Sequence, residues 1–97
     1  MIGTAERIAS LGLDEFRRHL PHALRGLAYE WRDERSVVVA AAGGRVVITA
    51  EVLPPLYLSA VLSLPRLRVC FVFDGGSTAE REAFLAVYDR AFLRGGG

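Results

Sequence analysis

Between residues 66 and 93 the hydrophobic period changes from two to about 3.6, across the four residues Asp74-Gly75-Gly76-Ser77. Before the turn, Leu67, Val69, Phe71 and Phe73 alternate with Arg66, Arg68, Cys70 and Val72, as in a strand with one face in a core. After it, Phe84, Val87, Tyr88, Ala91 and Phe92, widened by Leu85, recur at helical spacing. Ser77 and Glu80 stand three apart, the spacing of a capping box in which each side chain accepts from the other's backbone amide. A strand that runs through a tight turn into an amphipathic helix must bury that helix on one of its own sheet faces. The rest of the chain then has to extend the sheet and complete the cover.

The remaining segments supply strands and a second helix. Residues 4–11 read as a short helical turn or, with residues 1–12 taken together, a loose N-terminal arm ended near Gly12. Asp14 is the expected N-cap of a helix with Phe16, Leu20, Ala23 and Leu24 on one face, kinked or divided at Pro21 and closed by Gly26. Residues 27–32 alternate as a strand with Leu27, Tyr29 and Trp31 on one side. Gly43-Gly44 between residues 36–42 and 45–53 signals a two-residue hairpin, whose primed turn needs positive φ. With those glycines as the loop, Val39 faces Ile48, and Val37, Val39, Ala41, Val46, Ile48 and Ala50 share the core face. Pro54-Pro55 is expected to break the chain before another strand over residues 56–64, although Ala and Leu there also permit a short helix. Gly95 stops the last helix and leaves residues 95–97 as a flexible glycine tail. The expectation is a single α+β domain over residues 1–97. It is a two-layer sandwich with an antiparallel meander of four to five strands and the N- and C-terminal helices on one face (α-β-β-β-β-α).

Composition removes several functions. Hydrophobic residues make up 52% of the chain and charged residues 24%, so it can bury a core and is not disordered. The net charge of +1 gives no field that would favour nucleic acid or an anionic membrane. Tyr29, Trp31, Arg32 and Arg35 mix aromatics with arginine, but Glu30, Asp33 and Glu34 cancel their charge, so a packed aromatic strand is the preferred reading. All twelve basic residues are arginine, with no Lys, Asn or Gln, which points to a GC-rich, bacterial source. A lone cysteine and an N-terminus without a charged and then apolar leader fit a reducing, cytoplasmic setting.

Chemistry-bearing residues are few. Asp74, Gly75, Gly76 and Ser77 are placed where a helix N-terminus can hold an anion, but the phosphate-loop lysine is missing and Asp74, Glu80 and Glu82 oppose a negative ligand. His19 and His22 are three apart without a third ligand, so no metal or other cofactor is expected. Cys70 has Arg66 and Arg68 nearby, which would lower its pKa, but no histidine stands in sequence as a base. The terminal Leu93-Arg94-Gly95-Gly96-Gly97 resembles the diglycine tail of ubiquitin-like modifiers over five residues; here a helix, not a strand, leads into it. No catalytic residue is assigned.

The strongest functional signal is the second face of the sheet. Val38, Ala40, Val47, Tyr57, Val61, Cys70 and Val72 are all expected to point away from the helices as one apolar surface, more than a monomer ordinarily exposes. The reading is a non-enzymatic binding or assembly module that forms a homodimer or binds another protein through that face. The alternative is a small enzyme or ligand-binding protein with a pocket between sheet and helices or at a subunit interface, drawing on His19, His22, Tyr29, Tyr57, Asp74 and Tyr88.

Overall fold

Four strands follow one another as a meander, as their short connections require, and a fifth strand joins from the N-terminus. The computed structural model describes residues 2–96, with side chains described for residues 3–92. In chain order the elements are β1 (Ile2–Ala9), α1 (Leu13–Ala23), β2 (Tyr29–Trp31), β3 (Ser36–Ala41), β4 (Gly44–Tyr57), β5 (Ser63–Gly75) and α2 (Thr78–Gly96). The sheet order is β1-β5-β4-β3-β2, and every neighbouring pair is antiparallel. The fold is thus α+β, with an open five-stranded antiparallel sheet. Helix α1 carries the chain from one sheet edge to the other.

Both helices cover the same face. Phe16, Leu20, Ala23 and Leu24 from α1 and its C-terminal end share one core with Val37, Val39, Val46, Ile48, Ala50, Leu67, Val69, Phe71 and Phe73 of the sheet and Phe84 and Tyr88 of α2. Rings tie the layers together: Phe71 meets Tyr88 edge-on at 4.8 Å and Phe84 at 6.3 Å, Tyr88 stacks on Phe92 at 4.4 Å, and Phe92 meets Phe16 at 5.7 Å. Such pairs add about 0.5–1.5 kcal/mol each beyond their burial. Of the expected α2 stripe, only Val87 lies outside the core, half exposed.

The segment expected as a helical turn or loose arm is strand β1, paired with β5 from Ile2↔Asp74 to Ala9↔Leu67. Its helix-facing residues are Gly3, Ala5, Arg7 and Ala9, which are small or charged and carry no hydrophobic alternation. Small residues are needed there. A Cβ on Gly3 would meet the Arg81 guanidinium of α2 at 2.8 Å, and Arg7 forms a two-point ion pair with Asp89 of α2 at 2.9 and 3.1 Å. An inward-pointing charge on an edge strand also discourages pairing with another chain.

Three helix ends differ from expectation. Gly12, not Asp14, is the N-cap of α1, and Asp14 lies in the first turn, where its charge suits the helix dipole. Pro21 falls in the last turn of α1, so only the bond it would have donated to the Arg17 carbonyl is lost and the helix reaches Ala23. Helix α2 continues past Gly95 to Gly96, and the last residue of the expected tail, Gly97, lies outside the described residues.

The hairpin turn is Ala42-Gly43, at φ 58° and 75°, and Val39 pairs with Val46 instead of Ile48. Moving each partner by two positions keeps every side chain on its face, so the expected core face is retained. Gly44 is kept out of the turn because it is needed in β4, where a Cβ would run into the carbonyl oxygen of Asp74. In place of a break at Pro54-Pro55 and a separate strand over residues 56–64, β4 continues through both prolines to Tyr57, with an offset in pairing between Leu53 and Leu56. The prolines are tolerated because β3 stops pairing at Ser36↔Thr49 on one side and because both fall in the offset where β4 is unpaired with β5 on the other. Leu58 and Ser59 N–H groups close the tip on the Leu62 carbonyl at 2.9 and 3.2 Å. The result is a two-stranded arm that projects beyond the helices, in a molecule of 46 × 22 × 22 Å.

Candidate functional site

The arm is the least explained part of the molecule as a monomer. Residues 52–65 contain no charged side chain. Pairing sets Leu56 opposite Leu64, and the tip bond sets Leu58 opposite Leu62. Alternation along each strand then places these four leucines on one face, the continuation of the face that carries Arg66 and Arg68. Tyr57, opposite Ser63, takes the other face and is 73% exposed, while Val61 at the tip is 96% exposed. Counted over both faces of the arm and its tip, the exposed parts of Val52, Leu56, Tyr57, Leu58, Val61 and Leu62 sum to roughly 600 Å².

The outer sheet face is more polar than its apolar residues suggested. Val38, Val47 and Val72 lie in one row across β3, β4 and β5, continued by Thr4 of β1. The next row toward the hairpin turn holds Ala40, Arg45 and Asp74, with Arg45 and Asp74 3.4 Å apart. On the other side come Thr49, Cys70 and Glu6, and then Glu51, Arg68 and Ile8. Arg68 sits between Glu51, at 3.0 Å, and Glu6, at 3.6 Å. Of the seven residues expected to form one patch, five are on this face: Val38, Ala40, Val47, Cys70 and Val72. Tyr57 and Val61 belong to the arm. The pairing offset at Pro54-Pro55 is what moves Tyr57 to the other face and puts Leu56 in line with Arg66. An open groove of about 410 Å³ beside the valine row is lined by Ala28, Tyr29, Glu30, Val38, Ala40, Gly44 and Arg45.

The turn at Asp74-Gly75-Gly76-Ser77 is a structural joint. Ser77 N–H donates to Glu80 at 3.0 Å and Glu80 N–H to the Ser77 hydroxyl at 3.2 Å, completing the capping box. The Arg81 guanidinium donates to the carbonyls of Gly75, at 3.0 Å, and Gly76, at 3.4 Å. The Ser77 amide that an anion would use is therefore occupied by a carboxylate of the chain itself.

The other candidates stand apart from one another. His19 approaches Glu15 one turn earlier in α1 at 3.8 Å, and His22 is exposed. Among the described residues no group of three or more His, Cys, Asp and Glu could hold a metal ion. The six residues considered for a pocket occupy five different elements. Cys70 is half-buried, and burial pushes its thiol up, with Glu6 adding to the effect and Arg68 opposing it. The expected activation by arginine is outweighed, first by burial and then by the nearby carboxylates that also engage Arg68. Alkylation of native Cys70 by iodoacetamide at pH 8 should run slower than in urea, since a raised pKa leaves less of the reactive thiolate. Equal rates would contradict this placement.

Tyr88 is buried, and its hydroxyl has no hydrogen-bond partner among the described residues. Burial, helped by the charge of Asp89, pushes its phenol far above the ordinary value of about 10. The folded chain therefore keeps this proton where the unfolded chain loses it, so stability present below pH 10 falls as pH rises further, by up to about 1.4 kcal/mol per pH unit. Tyr88→Phe should flatten that alkaline slope and, by removing an unpaired buried hydroxyl, raise neutral-pH stability by about 1 kcal/mol. Urea titrations at pH 7 and pH 11 check both; a large loss at pH 7 would mean the hydroxyl has a partner.

Comparison with family models, with curated proteins and with solved structures returned no match.

Proposed function

We propose that this protein is a non-enzymatic binding and assembly module that engages a protein surface, its own or another's, through the β4–β5 arm and the adjoining outer sheet face. The observation that carries this reading is the uncharged, largely exposed arm, which projects past the core and contributes no residue to it. Apolar area contributes about 25 cal/mol per Å² when it leaves water, so an arm that adds nothing to the core has its energetic use in a complex. The site chemistry supports the same side of the choice: the histidines, Cys70 and the capped turn do not converge. The unpaired thiol fits a reducing compartment, and we place the protein in the cytoplasm.

The test is removal of the arm. Leu53 pairs with Arg66, so joining them through Asn-Gly shortens the hairpin without entering the core. The shortened chain should keep its circular dichroism and a cooperative melt while losing association. Loss of cooperative folding would make the arm a structural element and overturn the reading.

A further inference from the structure

We propose that β1 is a releasable guard strand: it detaches as a unit from the β5 edge, hinged at Ser10, and while docked it keeps the segment Leu67–Phe73 from pairing with other chains. The proposal is independent of the module reading, because the β4–β5 arm takes no part in it.

The first argument is the unequal anchoring of the two strands. β1 lies at the sheet edge with β5 as its neighbour, and none of residues 3–9 is buried. Ala5 and Ala9 touch the core only from its flank. β5 is the reverse, with Leu67 and Phe73 at 1% and 2% exposure and Val69 and Phe71 at 0%. A strand that buries so little apolar area is held mainly by backbone hydrogen bonds, and their net contribution is set against the entropy of ordering the same residues. Opening such an element costs far less than unfolding the domain.

The second argument is where the opening stops. Leu11 is 3% exposed in the core, and Gly12 is the N-cap of α1. Ser10, between β1 and Leu11, is exposed. β1 can therefore swing away at Ser10 while Leu11 holds the start of α1, and no buried residue leaves the core. Side chains on both faces oppose the release. Arg7 pairs at two points with Asp89 of α2 on the inner face, and Glu6 lies 3.6 Å from Arg68 on the outer one. Arg7 and Asp89 are 37% and 39% exposed, so solvent weakens this fastening and it can open.

The third argument is what release uncovers. Leu67-Arg68-Val69-Cys70-Phe71-Val72-Phe73 carries one charge, no proline and no glycine, the composition of segments that stack as strands between chains. Its edge is paired along the whole length by β1, from Ala9↔Leu67 to Gly3↔Phe73. β1, with Gly3, Glu6 and Arg7, is a poorer template than the strand it covers.

Native-state hydrogen exchange of the full chain at pH 7, in urea below the unfolding transition, tests the release. The β1 amides bonded to β5 should exchange roughly a hundredfold or more faster than those of residues 46–50 in β4, with little dependence on urea. Val37→Ala, a cavity in β3 far from β1, should speed the β4 set at least about tenfold and leave the β1 set unchanged. Asp89→Asn, at a half-buried position, should speed the β1 set about fivefold. Sets that respond alike to urea and to Val37→Ala would mean that β1 opens only with the whole domain, and a β1 set unmoved by Asp89→Asn would remove the fastening; either result overturns the proposal. Fibril formation of the same variants under agitation, followed with thioflavin T, tests the guard. Asp89→Asn should shorten the lag and Val37→Ala should not. A lag shortened by Val37→Ala as much as by Asp89→Asn, or by neither, overturns the guarding role.

Discussion

Phe71→Ala is expected to cost about 3–5 kcal/mol, the range for truncating a buried aromatic ring. Phe71 is 0% exposed at the centre of β5 and meets Phe73, Phe84 and Tyr88 with centroids 6.4, 6.3 and 4.8 Å away. Truncation removes one side of three ring contacts and leaves a cavity between layers whose other walls are also rings. Flat, rigid side chains cannot close such a gap by changing rotamer, so relaxation is small and the cost stays near the top of the range. A domain of this size has about 5–15 kcal/mol of stability, so the variant loses a large fraction of it. Its melting temperature should fall by roughly 15–30 °C, measured at one protein concentration so that association does not contribute. Phe71→Leu, which refills most of the volume, should recover more than half of the loss. Similar melts for the two variants would show that the ring geometry carries little of the packing.

The same strand shows which parts of the fold were legible in the sequence. Leu67, Val69, Phe71 and Phe73 alternate, Ser77 and Glu80 cap the following helix, and both signals are local, so neither depends on what packs against them. β1 is different. Gly3 has no side chain because Arg81 of α2 approaches closely, and Arg7 is charged because it pairs with Asp89, and both requirements come from the tertiary contact alone. Pro54-Pro55 misleads for a related reason: proline breaks a central strand, and only the early end of β3 makes that part of β4 an edge. The apolar outer surface was legible as an excess of hydrophobic residues at outward positions. Its division was not, because the pairing offset after Leu53 exchanges the faces of every arm residue that follows. The leucine face is consequently visible only once Leu56 is known to lie opposite Leu64.

Gly76→Ala should destabilise by about 3 kcal/mol or more, and three glycines allow that figure to be separated into its causes. At Gly76, φ is 75° and an added Cβ would be driven into the carbonyl oxygen of Ala42, so a left-handed backbone and a collision act together. At Gly26, φ is 81° but nothing lies within 4 Å of the Cβ position, so Gly26→Ala reports the backbone penalty alone, about 1–2 kcal/mol. Gly44 lacks the positive φ, yet its Cβ would meet the Asp74 carbonyl, so Gly44→Ala reports a collision alone. Both collisions occur where the β3–β4 turn lies against the β5–α2 turn. Neither backbone can retreat, because Gly44 pairs with Gly75 while the capping box and Arg81 hold the other side. The expected order of urea midpoints is therefore wild type, Gly26→Ala, Gly44→Ala, Gly76→Ala, from most to least stable. With Gly76→Ala no worse than Gly26→Ala, the two turns would have to be free to separate, and the joint would not be what orients α2 on the sheet. Because α2 covers the inner face through that joint, a loosened joint should also expose Phe84 and Tyr88. Binding of a hydrophobic dye by Gly76→Ala but not by Gly26→Ala is the matching observation.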